Sequence, residues 1–117
     1  MILEIYGVYL VNFKNNVGGE MSGKHYALVL SEISHKDKTF LVAPITSKKK
    51  GHKYRGGFTI DCTKYQEKPT QEKAFVKIRK MREIDKSRLI SKKLIYKLDN
   101  KDIELCKNKL IHFFRLK

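Results

Sequence analysis

The apolar residues of this chain are gathered into short runs that polar and glycine-rich segments separate, a pattern that excludes most all-helical folds. The runs span residues 5–13, 25–31, 39–45, 58–62 and 74–82. Each run is short for a core helix and rich in β-branched or aromatic residues, which is typical of buried strands. In the last two runs apolar and polar residues alternate, which predicts strands with one face in water.

The C-terminal part of the chain changes to a helical period. Asp99 is a suitable N-cap for a helix whose apolar positions are spaced by three and four residues. The residues on that face are Ile103, Cys106, Leu110 and Phe114. We therefore predict one domain over residues 1–117, mainly β with a C-terminal helix, in which about five short strands close over one core.

The charge balance points to a polyanionic partner. The chain has 117 residues, with 26 Lys and Arg against 12 Asp and Glu, and a formal net charge of +14. Such a field attracts nucleic acid first and an acidic protein second, although a merely lysine-rich composition is the alternative explanation. The chain has no run of about 18 apolar residues, so the sequence does not predict a membrane span. The N-terminus does not resemble a signal peptide, so we expect a cytoplasmic protein.

The cysteines and histidines show no metal-ligand spacing. Cys62 and Cys106 lie far apart in the sequence, which favours two reduced thiols, although a disulfide is the alternative. The four histidines are scattered. We therefore expect neither a metal site nor a cofactor.

Two segments put polar chemistry at the ends of predicted strands. In GGEMSGKHY, residues 18–26, an imidazole at His25 could transfer a proton near neutral pH, unless the segment is an ordinary hairpin loop. In APITSKKKG, residues 43–51, Thr46 and Ser47 directly precede three lysines. Hydroxyls beside fixed positive charge suit a phosphate oxygen, whereas the alternative is a strand end followed by solvated lysines.

A third segment, KIRKMREID at residues 77–85, is strongly basic. Lysines and arginines on one face of a sheet form a track for phosphates, although charge can also protect an edge strand against aggregation. Tyr54, between Lys53 and Arg55, is the best candidate for stacking on a base.

Four stretches, in this order, resemble the MazF/PemK/Kid toxin family. GVYLVNF resembles its opening strand, GGEMSGKHYALVLS its glycine-rich loop and second strand, and LVAPITS and MREIDKSRL two later motifs. The resemblance covers about Tyr6 to Leu89. It implies a small SH3-like, strongly twisted β-barrel that forms a homodimer and cleaves single-stranded RNA without a metal. The ribose 2′-hydroxyl would attack the adjacent phosphate, leaving a 2′,3′-cyclic phosphate and a 5′-hydroxyl, and a cognate acidic antitoxin would block the groove.

The resemblance also assigns roles to individual residues. The family's catalytic threonine matches Thr46, whereas its catalytic arginine falls on His25. Some members carry a basic–acidic pair at the positions of Lys77 and Arg79, so the acidic partner is missing here. We hypothesise that His25 is the general base or acid and Thr46 a transition-state ligand, with the second proton carrier open. The residues expected to bind RNA are Glu20, Lys24, Ser47, Lys48, Tyr54, Lys77, Arg79, Lys80 and Arg82.

Two other functions stay open at this point. The loss of the family arginine would fit a gyrase-inhibiting toxin of the same fold, and the charge alone would fit a noncatalytic RNA-binding barrel. The loops at residues 14–24 and 48–57 are expected to read the bases, but their residues do not predict the recognised sequence.

Overall fold

A computed structural model describes residues 2–14 and 23–116, which form a seven-stranded antiparallel sheet and one helix. The strands are β1 (Gly7–Asn12), β2 (Lys24–Val29), β3 (Thr39–Ser47), β4 (Gly57–Asp61), β5 (Lys73–Lys77), β6 (Arg82–Asp85) and β7 (Tyr96–Lys97). The helix, α1, spans Asn100–Phe114, and short 3₁₀ turns lie at Cys62–Lys64, Ile78–Lys80 and Lys86–Arg88. The prediction of a mainly β fold with a C-terminal helix is confirmed, because the strands form one curled antiparallel sheet and α1 follows the last of them.

The long strand β3 organises the sheet. The strands follow the order β4-β5-β3-β2-β1-β7, and β6 pairs with the first half of β3. Along one edge of β3, Val42 pairs with Arg82 and Ile45 pairs with Val76. The two paired positions are three residues apart on β3 but six residues apart on the segment that pairs with it. The extra residues form the 3₁₀ turn at Ile78–Lys80. The predicted continuous strand over 74–82 was therefore wrong: the chain turns a corner where the sheet bends.

Both faces of the sheet are buried, so the prediction of one core was also wrong. One cluster, on the side of α1, includes Val8, Leu28, Ile45, Ile60, Val76 and Cys106. The other includes Val11, Phe13, Ala27, Val29, Phe40, Val42 and Ile84. Successive residues of a strand point to opposite faces, so a strand covered on both sides is apolar along its length. This explains the continuous apolar run in β2.

The start of α1 is tied to the sheet by a polar network. The predicted N-cap is confirmed, since the Asp99 carboxylate accepts a hydrogen bond from the Asp102 amide at 2.9 Å. Asp102 itself is buried and accepts hydrogen bonds from the Tyr65 hydroxyl and the Lys64 ammonium. The Tyr65 ring stacks on Tyr96 at 4.7 Å between centroids. Asp102 thus connects the start of α1 to the sheet, and its negative charge also complements the helix dipole.

The apolar stripe of α1 is shorter than predicted. Cys106 is fully buried and Ile103 and Leu110 are half-buried, but Phe114 is 54% exposed. Phe114 is the last helical residue, one position before Arg115, which has a left-handed backbone. The helix end therefore extends past the sheet that covers its middle. Within the described residues no helix has the length and hydropathy to cross a membrane.

Candidate nucleic-acid interface

The two predicted catalytic residues lie at neighbouring strand ends. The pairing of β2 with β3 ends at Ala27 and Pro44, and His25 and Thr46 each lie two residues beyond that last pair, at the same end of the two strands. Strand alternation puts both side chains on the face of Ala27 and Val42. Both residues are half-buried. They also border a pocket of about 360 Å³, which lies mainly on the opposite face, because Ile45, Cys62 and Ala74 of the cluster on the side of α1 line it. The two residues therefore lie at adjacent strand ends from two separate segments, and their catalytic roles stay predictions.

A row of side chains continues from Thr46 across the sheet. Thr46 pairs with Phe75 on β5, and Phe75 pairs with Thr59 on β4. Because paired residues point to the same face, these three side chains and His25 form one row over four strands. The Lys48 ammonium donates a hydrogen bond to the Thr59 hydroxyl at 2.9 Å. The first lysine after β3 therefore lies over the same face as the two candidate catalytic residues.

A second pocket, of about 460 Å³, lies at Phe75 and is strongly basic. Its lining residues are Lys53, Tyr54, Arg55, Phe75, Lys77, Arg79 and Lys80. Among the residues that the structure describes, this basic pocket contains five cationic side chains, two aromatic rings and no acidic residue. It brings together four of the residues expected to bind RNA from two distant segments: Tyr54 in the loop before β4, and Lys77, Arg79 and Lys80 at the end of β5 and in the turn after it. Lys77 is half-buried, whereas Arg79 and Lys80 are exposed.

Tyr54 closes the loop that carries the lysines after β3. Its hydroxyl accepts a hydrogen bond from the Lys49 amide at 2.8 Å and donates one to the Ser47 carbonyl at 3.0 Å. Its ring packs on Phe75, with 5.2 Å between the centroids. The structure thus gives Tyr54 a bracing role that sequence reasoning missed, and its proposed stacking on a base stays a prediction.

Arg79 is held at the basic pocket by a glycine that sequence reasoning also missed. The Arg79 amide donates a hydrogen bond to the Gly56 carbonyl at 3.0 Å. Gly56 has a φ of +75°, and a Cβ there would lie 2.1 Å from Cδ of Arg79. Only glycine tolerates both conditions. The sequence shows a glycine between an arginine and a second glycine, but it does not show that the Arg79 side chain packs on that glycine.

Arg82 and His25 both contact one buried phenyl ring, that of Phe13. Its guanidinium carbon lies 5.8 Å from the centroid of the Phe13 ring, and the His25 ring lies 6.3 Å from the same centroid. Nη1 of Arg82 is buried and has no hydrogen-bond partner among the described residues. Phe13 gave no functional signal in the sequence, because it reads as an ordinary apolar residue at a strand end.

The remaining predicted residues differ in position. Lys24 and Ser47 line the same pocket as His25 and Thr46, but alternation assigns their side chains to the other face of the sheet. Glu20 lies outside the described residues. The RNA-binding roles of these three residues stay predictions.

The pocket at His25 contains a thiol that is unsuited to nucleophilic attack. Cys62 lines this pocket, and burial, followed by the charge of Asp61, raises the pKa of its thiol. A raised pKa keeps the sulfur protonated and unreactive at neutral pH. Both cysteines are free and buried. In the part of the chain that the structure describes, no group of three or more His, Cys, Asp or Glu residues could hold a metal ion.

The curled half-barrel with its C-terminal helix belongs to the class of small MazF-type toxin folds. A model of the family described as PemK-like, MazF-like toxin of type II toxin–antitoxin system matches residues 4–114. Because the match spans nearly all of the 117 residues, the chain belongs to this family. A comparison with curated proteins gives no match. Family membership identifies a toxin of a type II system, and such a toxin has an antitoxin partner.

Proposed function

We propose that this toxin is an endoribonuclease that cleaves single-stranded RNA at specific sequences without a metal ion. The observation that best supports the proposal is the position of His25 and Thr46 at neighbouring strand ends, on the face of the sheet that continues through Phe75 into the basic pocket. An inhibitor that only binds a protein surface needs no such pairing of a proton carrier and a hydroxyl.

The chemistry follows from what each group can do. The 2′-oxygen of one ribose forms a bond to the adjacent phosphorus while the bond from phosphorus to the 5′-oxygen of the next nucleotide breaks. His25 removes the proton of the 2′-hydroxyl or supplies one to the leaving oxygen, since an imidazole does either near neutral pH. The Thr46 hydroxyl donates a hydrogen bond to a nonbridging oxygen, and nearby cations stabilise its growing negative charge. The products are a 2′,3′-cyclic phosphate and a 5′-hydroxyl.

The RNA strand is proposed to run from the His25–Thr46 pair towards the basic pocket. Neighbouring strands are about 4.8 Å apart, so Phe75 lies one strand from Thr46 and the pocket is within reach of an adjacent nucleotide. Lysines and arginines around an aromatic pair suit the phosphates and the base of a single strand. In this arrangement Lys48, Lys77, Arg79 and Lys80 bind the backbone.

The proposal includes the partners of the toxin. A net charge of +14 fits an antitoxin that is acidic where it covers this face, because opposite charges speed and orient association. We take the whole chain as one domain that acts in the cytoplasm as a homodimer.

The decisive experiment compares two histidine variants on a long single-stranded RNA in excess chelator. His25→Ala should lower the cleavage rate at least about 100-fold, the usual contribution of a general acid or base, with little loss of RNA binding. His35→Ala is the matched control, because His35 is exposed in the connection at the opposite end of β2 and β3. It should cleave at the parental rate.

The cleavage products decide between the candidate functions. Discrete fragments with 5′-hydroxyl ends support the proposal. RNA that is bound but stays intact would indicate a noncatalytic RNA-binding barrel. Protein that neither binds nor cleaves RNA would favour the alternative of a gyrase-inhibiting toxin. Parental cleavage by His25→Ala would remove His25 from the mechanism.

A further inference from the structure

The Phe13 ring is the shared support of two functional side chains from different strands. Phe13 is fully buried, and its ring contacts the His25 imidazole and the Arg82 guanidinium, at 6.3 Å and 5.8 Å from its centroid. His25 comes from β2 and Arg82 from β6, and these strands do not pair with each other. The ring therefore relates two side chains whose backbones have no direct connection.

Hydrogen bonds from the amide and to the carbonyl of Phe13 hold its backbone in place, and burial restricts its ring. The Phe13 amide donates to the Gly23 carbonyl at 2.8 Å, and the Phe13 carbonyl accepts from Nη1 of Arg88 at 3.1 Å. The next pair on β1 and β2 joins Asn12 to Lys24. A residue held by its backbone and buried on every side of its ring is a rigid platform.

The hydrogen bonding of Arg82 indicates the role of the Phe13 ring. A buried donor without a partner costs folding free energy, and such a group is retained when a ligand supplies the acceptor. A guanidinium against a phenyl ring keeps its planar fork oriented, and that fork matches the oxygens of a phosphate. Nη1 of Arg82, which has no hydrogen-bond partner among residues 2–14 and 23–116, is therefore a donor whose orientation the Phe13 ring sets before RNA arrives.

We propose that Phe13 is a positioning residue of the site: it seats the His25 imidazole and the Arg82 guanidinium so that Nη1 of Arg82 donates to an oxygen of the phosphate beside His25. The inference rests on the proposed ribonuclease function and adds to it the support that sets the geometry. Phe13 touches no substrate and acts only through the two side chains on its ring.

Matched substitutions in the same buried cluster test this role. Phe13→Leu keeps an apolar side chain but removes the aromatic face. Phe40→Leu is the control, because Phe40 is equally buried in this cluster and has no ring contact with His25 or Arg82 among the described residues. With protein in excess over RNA, Phe13→Leu should lower the cleavage rate about tenfold or more, because small errors in placement are costly to catalysis. Affinity for RNA should change less than about threefold, whereas Phe40→Leu should leave both quantities near the parental values.

An NMR readout separates positioning from a loss of stability. The ring current of Phe13 shifts the His25 side-chain signals, so Phe13→Leu should move them and Phe40→Leu should not. A 2′-O-methyl RNA lacks the attacking hydroxyl and binds without reaction. It should shift the guanidinium signals of Arg82 in the parent and in Phe40→Leu, but much less in Phe13→Leu.

These readouts distinguish the failure of the inference from the failure of the proposed function. If the parent does not cleave RNA but the Arg82 signals still respond to the 2′-O-methyl RNA through Phe13, only the proposed catalysis fails. If Phe13→Leu cleaves as fast as Phe40→Leu, or if Arg82 does not respond to RNA in the parent, the role of Phe13 is refuted.

Discussion

Removal of the Tyr54 hydroxyl should loosen the basic loop at residues 48–53 without changing its charge. In Tyr54→Phe the ring can keep its packing on Phe75, at 5.2 Å between centroids. What is lost is the oxygen that accepts from the Lys49 amide at 2.8 Å and donates to the Ser47 carbonyl at 3.0 Å. The substitution therefore isolates the two hydrogen bonds that close the loop.

The size of the effect follows from the setting of these bonds. A hydrogen bond between neutral groups contributes about 0.5–1.5 kcal/mol after exchange with water. The bond to Lys49 is exposed and the bond to Ser47 is partly buried, so water replaces part of what is lost. We expect the closed loop to lose about 1–2 kcal/mol, which is a factor of roughly 5–30 in the equilibrium between closed and open forms.

Amide hydrogen exchange measures this opening directly. The Lys49 amide should exchange about 5–30 times faster in Tyr54→Phe than in the parent, provided that exchange follows local opening. Tyr9→Phe is the matched control, because the Tyr9 hydroxyl accepts from the Glu4 amide at 3.0 Å, far from the loop in the sequence. RNA cleavage should also fall in Tyr54→Phe, since the loop carries Lys48. An unchanged exchange rate at Lys49 would show that the hydroxyl does not hold the loop.

Two further predictions concern the tether of α1. Asp102→Ala removes a buried acceptor of Tyr65 and Lys64, so urea unfolding should show a loss of about 3 kcal/mol, against less than about 0.5 kcal/mol for exposed Glu104→Ala. Contact with Lys64 holds the pKa of Asp99 below its ordinary value of 3.8. A depressed folded pKa stabilises the protein above the unfolded pKa, and this contribution is lost as the pH falls through the folded pKa. Asp99→Asn keeps the cap acceptor, so its urea midpoint should fall less than the parental one between about pH 5 and pH 2.5.

The elements of the fold that depend on local chemistry could be predicted from the sequence. The apolar runs located most strands, because burial on both faces leaves an apolar signature over several consecutive residues. Asp99 identified the start of α1, since a capping side chain acts within three residues of itself. The strand ends at His25 and Thr46 could also be predicted, because the change between apolar and polar residues there is local in the sequence.

The parts that depend on long-range pairing could not be predicted in this way. The corner at Ile78–Lys80 exists because β5 and β6 pair with different halves of β3, which no local pattern records. The contact between Phe13 and Arg82 joins residues far apart in the sequence, and depends on the order of β1, β2, β3 and β6. A buried phenylalanine looks the same in a sequence whether it supports a site or only fills a core.

The position of Arg82 bears on the histidine at position 25. The family resemblance expects an arginine there, but this chain has another guanidinium, that of Arg82, on the Phe13 ring that His25 also contacts. An arginine is nearly always protonated and is therefore a poor proton carrier, whereas histidine is a common general acid or base. In the proposed mechanism Arg82 supplies the charge and His25 moves the proton, so one missing arginine does not remove the chemistry.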